Sequence, residues 1–120
     1  MSLSIEIRQI ERFVILELAG RVSVLEPGLK QVAARLMDRG ERYFIINLAN
    51  VAYLDNFGLG QLCWIYTVAR NRGGDMKVLK PTPRIKELLK ITKLDSVFET
   101  FEREDDALRS IPVLTASLLA

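Results

Sequence analysis

The chain has 120 residues and a mass of 13.6 kDa, and 49% of its residues are hydrophobic against 27% charged, so it predicts one domain around a single core. The net charge of +2 is small and the basic residues are scattered, which does not indicate a nucleic-acid partner. With no histidine and one cysteine, Cys63, the sequence lacks the commonest general base, most zinc ligands and any internal disulfide.

The first third of the chain predicts an antiparallel hairpin and then a helix. Alternating apolar residues begin at Ile5, and after the polar pair Glu11-Arg12 comes the apolar run Phe13–Gly20. From Pro27 to Arg39 the apolar residues recur at the spacing of one helical stripe. These are Leu29, Val32, Ala33 and Leu36.

The rest of the chain alternates strands with helices. The run Tyr43–Leu48 is apolar on both sides, as in a strand that helices cover. The pattern then predicts a helix from about Gly58 to Arg72, a strand Met76–Leu79, a helix from Arg84 to about Ile91, an edge strand near Phe98 and Phe101, and a last helical segment from Asp105 to Ser110. The fold class is therefore α/β, with a mixed four- to five-stranded sheet, an N-terminal hairpin and about four helices.

The turn between the central strand and the second helix is the most informative segment. Free backbone N–H groups converge at a helix start and favour an anion, so small-molecule binding here is one alternative. The side chain of Asn56 is expected to cap the helix by accepting a backbone N–H.

The segment Leu54-Asp55-Asn56-Phe57-Gly58-Leu59-Gly60, with the order of elements around it, resembles the STAS domain, the fold of bacterial anti-sigma factor antagonists. That family carries an aspartate, two serines and a glycine at this turn, and then Leu-Gly and a helix. The resemblance extends from about Ile5 to Leu108. It includes the helix end Arg70–Gly74, the third helix Arg84–Leu89 and the segment Leu94–Phe98.

The resemblance implies a protein–protein interaction module of bacterial signalling and transcription regulation. In that family a partner kinase, which is also the anti-sigma factor, phosphorylates the second serine, and the unphosphorylated form binds the partner. The phosphate adds about −1.5 to −2 charges to the docking surface. The alternative keeps the fold but gives it a different role, that of a STAS subunit that scaffolds a lipid-transport ATPase or a stress-signalling complex.

The sequence departs from the family where the phosphorylation switch would lie. The two serines align with Asn56 and Phe57, which cannot accept a phosphoryl group. Of the family's aspartates only Asp55 remains, because Asn47 and Ser23 occupy two other acidic positions. The resemblance therefore implies a member that is non-phosphorylatable at this turn. If a phosphorylation site exists elsewhere, Thr82, between two prolines, is the best candidate.

Two alternatives are open for Phe57: it packs inward beneath the turn, or it projects outward as an anchor for the partner. Helical periodicity places Gln61, Trp64 and Val68 on or near the outer side of the second helix, where the Trp64 ring would either extend this anchor or be covered by the C-terminal tail. The predicted partner-binding residues are Asp55, Asn56, Phe57, Gly58, Gln61 and Trp64.

The remaining residues predict a regulator and not an enzyme. No phosphate-binding Gly-rich loop and no convincing pair of carboxylates is present, so we expect no catalytic residue, no metal and no cofactor. Cys63 is expected in the core, Ser23 on the surface or at a cap, and Lys93 stands where relatives often have glycine, so its backbone is a candidate for positive φ.

We expect one STAS-like domain over residues 1–120, in which about 109–120 form an apolar tail. That tail either docks on the domain or forms an association surface, for instance in a homodimer. The N-terminus has no secretory signal, and no apolar run approaches the roughly 20 residues that span a bilayer, so we expect a cytoplasmic protein without membrane insertion.

Overall fold

Five strands form one mixed sheet in the order β1-β2-β3-β4-β5. The computed structural model describes residues 2–23 and 28–111. The β1–β2 pair is antiparallel and the other pairs are parallel, which confirms the predicted hairpin and mixed α/β sheet. The elements in chain order are β1 (Leu3–Ile10), β2 (Phe13–Val22), α1 (Gly28–Asp38), β3 (Tyr43–Leu54), α2 (Asn56–Asn71), β4 (Asp75–Leu79), α3 (Pro83–Ile91), a 3-10 turn (Leu94–Ser96), β5 (Thr100–Phe101) and α4 (Glu104–Arg109).

Strand β3 is longer than the sequence predicts, because it continues to Leu54 and not only to Leu48. It pairs with β2 as far as Leu54↔Val22, and the register shifts twice along the way. Such bulges interrupt the alternation of side chains, so the apolar pattern ends before the strand does. The connection from β3 to α2 is therefore the single residue Asp55.

Helices cover both faces of the sheet, as the apolar run in β3 predicts. Successive residues of β2 point to opposite faces, so Val14 and Leu16 belong to the main core with α1, α2 and α3. Phe13 and Ile15 belong to a smaller cluster with Ala107 of α4. The start of α2, which resembles the family's switch, lies on the side of the main core.

Of two features near the C-terminus, Phe98 differs from the prediction and Lys93 agrees with it. Phe98 is a buried core residue that precedes β5 and is not part of it, because the unpredicted 3-10 turn directs it inward. Lys93 has a φ of 62°, so the positive φ expected there is confirmed. The predicted tail beyond Ile111, and Pro27 before α1, lie outside the described residues. None of the helices within residues 2–23 and 28–111 combines the length and the hydropathy of a membrane-spanning segment.

Candidate functional site

Asp55 caps helix α2. Its backbone is extended, and its Oδ1 accepts a hydrogen bond from the backbone N–H of Gly58 at 2.8 Å. The expectation that Asn56 is the cap is therefore wrong, because α2 begins at Asn56, ahead of the predicted Gly58, and the Asn56 side chain is exposed. Residues 55–58 are thus a cap and the first residues of the helix, of which Asn56 and Phe57 are exposed and Gly58 is buried.

Gly58 lets this first turn lie directly against the end of β2. A Cβ atom at Gly58 would come within 2.1 Å of the carbonyl oxygen of Val22, so no other residue fits without a backbone shift. The backbone N–H of Asp55 also donates to this oxygen, at 3.3 Å. These contacts fix the direction in which the neighbouring side chains leave the helix.

Phe57 points outward and is 65% exposed. The alternative in which it packs beneath the turn is therefore wrong. The reason is local: Gly58 and Leu59 face the interior, which directs the preceding residue of the helix toward solvent. A large apolar ring is therefore exposed to solvent next to Asp55, at the position that corresponds to the family's phosphorylation switch.

A groove of about 620 Å³ lies between the first turn of α1 and the first half of α2. Phe57 and the half-buried Trp64 both line it, so the structure brings together the two aromatic residues that the sequence singled out. The ammonium group of Lys30 lies 4.9 Å from the centroid of the Trp64 ring, a cation–π contact. The groove residues are Lys30, Gln31, Asn56, Phe57, Gly60, Gln61 and Trp64.

Gln61 was expected on the outer side of α2, and this expectation is wrong. The residue is only 9% exposed, and its Oε1 accepts a hydrogen bond from the backbone N–H of Lys30 at 3.1 Å. Helical periodicity within α2 contains no information about the neighbouring start of α1, which supplies this partner. Of the groove residues, sequence reasoning missed Lys30 and Gln31 of α1, which no motif marks, and Gly60, which it named only as part of the family resemblance.

Thr82 lies away from this groove. Its Oγ1 accepts a hydrogen bond from the backbone N–H of Ile85 at 3.3 Å and caps α3. It lines a separate groove of about 440 Å³ between α3 and the end of β3. The sequence alternative of a displaced phosphorylation site therefore concerns a different surface from that of Phe57.

Two other singled-out residues are placed differently from expectation. Ser23 is buried and not on the surface, because it directly follows the buried end of β2. Cys63 is half-buried against the main core, and this partial burial raises the pKa of its thiol through desolvation. Within residues 2–23 and 28–111 no group of three or more His, Cys, Asp or Glu side chains is arranged to hold a metal ion.

Comparison with known proteins identifies the family of this chain. The family model of the STAS domain matches residues 4–107. The chain is 24% identical over 117 residues to the anti-sigma F factor antagonist of Paenibacillus polymyxa, covering 96% of this chain and 100% of that protein. It is 28% identical over 103 residues to the anti-sigma-B factor antagonist of Staphylococcus aureus, covering 85% of this chain and 95% of that protein.

The fold also matches solved structures. The crystal structure of an anti-sigma factor antagonist from Mycobacterium paratuberculosis superposes with a TM-score of 0.81 at 21% identity, over 91% of this chain and 93% of that one. The family match over residues 4–107 includes the cap, the first turn of α2 and the groove. The chain belongs to the STAS domain family.

Proposed function

We propose that this protein is an anti-sigma factor antagonist-like binding module whose docking surface surrounds the start of α2. We define the docking surface as Lys30, Asp55, Asn56, Phe57, Gly58, Gln61 and Trp64. The observation that carries the proposal is the 65% exposure of Phe57 beside an open groove. Large aromatic side chains in this setting are typical anchors of protein interfaces.

The partner we propose is an anti-sigma factor or a related serine kinase-like protein of the cytoplasm. Support comes from the relatives that are named antagonists of anti-sigma F and anti-sigma-B factors. The groove adds chemical detail, because Lys30 is its one charged lining residue among those described. A partner that places an apolar side chain beside Phe57 and Trp64, and a carboxylate near Lys30, complements this surface.

Binding in this proposal is not switched off by phosphorylation at the turn. The first two residues of α2, Asn56 and Phe57, carry no hydroxyl. A phosphoryl group at this place would be tolerated by the domain itself, because a helix start favours negative charge, but it would repel a closely packed partner. Without an acceptor the module stays competent to bind.

The test compares Phe57→Ala with Ile91→Ala, another exposed apolar residue, which is 70% exposed at the far end of α3. The partner is captured with the wild-type protein, identified, purified and titrated by calorimetry. Loss of a central aromatic anchor costs about 2 kcal/mol or more, so Phe57→Ala should weaken binding by roughly 30-fold, and Ile91→Ala should not. Equal affinities of the two variants would contradict the proposal that the partner binds at the docking surface through Phe57. If the captured protein is a transporter ATPase, the scaffold alternative is favoured.

The same partner, supplied with ATP, tests the missing switch. Peptide mass spectrometry should find no phosphate on residues 55–58 of the wild-type protein, and Phe57→Ser should gain one if the partner is a kinase. Phosphate on Thr82 would instead support a displaced switch. A phosphorylated peptide over residues 55–58 of the wild type would contradict this part of the proposal.

A further inference from the structure

Strand β1 is an edge strand whose outer side has no pairing partner among the described residues. It pairs with β2 along its whole length, from Leu3↔Gly20 to Ile10↔Phe13, without a bulge. It contains no proline, and Ile7 near its middle is 51% exposed. A long, regular edge of this kind is a template for another strand.

The hairpin turn determines which backbone groups of β1 face outward. Glu11 and Arg12 form a two-residue turn between the paired residues Ile10 and Phe13, and in a hairpin of this length these two flanking residues form the closing hydrogen-bonded pair. Residues of an antiparallel strand point their N–H and C=O groups alternately toward and away from the neighbour. Counting back from Ile10, the outward groups are those of Gln9, Ile7, Ile5 and Leu3.

The charges on β1 leave one carboxylate without a counter-charge. Glu6 lies directly opposite Glu17 on β2, and like charges in such a pair repel. Arg8 neutralises Glu17, through Nε to Oε1 at 2.5 Å, and also binds Glu104 of α4 through Nη2. Among the described residues Glu6 has no ion-pair partner, and Nη1 of Arg8 has no acceptor.

We propose that two copies of this chain pair through β1, antiparallel, about a twofold axis that passes through Ile7. In this register Ile7 meets Ile7 of the second copy, and Ile5 meets its Gln9. Glu6 then lies opposite Arg8 of the second copy, twice per dimer. This pair does not exchange backbone hydrogen bonds, and in such pairs the side chains are closest, with Cα atoms about 4.5 Å apart.

Neighbouring registers are disfavoured by the same residues. A shift of one residue would align outward-facing backbone groups with inward-facing ones, so hydrogen bonds would be lost. Shifts of two would place Glu6 against Glu6 or Arg8 against Arg8, and both pairs repel. The proposed register is thus the one in which backbone pairing and charge agree. It involves no residue of the docking surface, so it stands independently of the proposed function.

The first experiment is sedimentation velocity on the wild type, Glu6→Lys and Glu11→Lys over a wide concentration range. Lysine at position 6 faces Glu17 within the monomer, which favours folding, but faces Arg8 of the second copy, which opposes pairing. Glu11→Lys makes the same charge change in the turn, where the proposed register places it opposite the uncharged Leu3 of the second copy. We expect the dimer dissociation constant to rise at least tenfold for Glu6→Lys only. A wild type that stays monomeric up to several hundred micromolar, or equal constants for both variants, would overturn the proposal.

The second experiment tests the register by disulfide trapping in a Cys63→Ser background. Ile7→Cys places its two sulfurs at the twofold axis, where Cα atoms of a hydrogen-bonded pair are about 5.5 Å apart, within the range of a disulfide. Gln9→Cys is the control, because its two copies would be offset by four residues, or about 14 Å. Oxidation should cross-link Ile7→Cys and leave Gln9→Cys monomeric. Equal cross-linking of both, or of Gln9→Cys alone, would overturn the register.

Discussion

Gly58 shows how one residue sets the geometry of the docking surface. The end of β2 lies so close to the first turn of α2 that a methyl group would collide with the carbonyl oxygen of Val22 and come within 2.7 Å of Cδ1 of Leu54. The carbonyl belongs to a paired strand and cannot move freely. The glycine therefore secures the contact that keeps Gly58 and Leu59 inward and Phe57 outward.

We expect Gly58→Ala to lower the free energy of unfolding by about 2–3 kcal/mol, the upper part of the range for an overpacked core. Gly60→Ala is the matched control further along the same helix, because a Cβ there meets nothing within 4 Å. Removing an interior helix glycine should raise stability by up to about 1 kcal/mol. Urea unfolding of the two variants measures both effects. A Gly58→Ala protein as stable as the wild type would mean that β2 and α2 are further apart than described.

At the scale of the elements, the sequence predicts the hairpin and the succession of strands and helices along the chain, because most of these elements have a regular apolar period. The order of the strands in the sheet comes from the structure. The sequence prediction fails at the junction of β3 and α2. The register shifts between β2 and β3 interrupt the alternation of apolar residues after Leu48. The identity of the cap depends on whether Asp55 or Asn56 accepts the N–H of Gly58, which the residue types alone do not determine. The resemblance singled out this turn as the candidate site, but the side-chain directions required the structure.

Helix α2 illustrates the same limit within one regular element. Periodicity correctly places Leu62 and Ile65 in the core. It places Gln61 outside, although the start of α1 covers this residue and supplies its hydrogen-bond donor. A contact between elements about thirty positions apart has no local signal in a single sequence. The exposure of Phe57 is likewise a property of the packed helix start and was open from the sequence alone.

The start of helix α3 depends on the cap at Thr82. Thr82→Ala removes the hydroxyl that accepts the N–H of Ile85 and should lower the free energy of unfolding by about 1 kcal/mol. Thr82→Ser is the control, since it keeps the accepting oxygen and should stay within about 0.5 kcal/mol of the wild type. Thermal or urea unfolding distinguishes the two. If both variants are equally destabilised, the methyl group and not the cap is what matters at this position.

At the scale of the molecule, the two faces of the sheet differ in how much helix packs against them. Three helices share the main core, whereas the short helix α4 rests on a small cluster and is joined to the sheet by the ion pair of Glu104 with Arg8. This pairing, together with that to Glu17, raises the pKa of Arg8 despite partial burial. Asn47 completes the network by donating to Glu17 at 2.8 Å. The network thus connects β1, β2, β3 and α4 across the second face.

Because α4 rests on few buried residues, its attachment to the sheet should depend on the ion pair of Glu104 with Arg8. Glu104→Ala removes the ion pair across the sheet and should destabilise α4, but by no more than about 1 kcal/mol, because both partners are partly exposed. Asp105→Ala is the matched control in the same first turn, where the carboxylate forms an ion pair with Arg103 at 3.8 Å. Hydrogen exchange should therefore accelerate at Ala107 and Leu108 in the first variant and change little in the second, while the strands of the main core keep their protection. Equal acceleration in both variants would show that the helix dipole, and not the contact with Arg8, holds α4 in place, since each substitution removes one negative charge from the helix start.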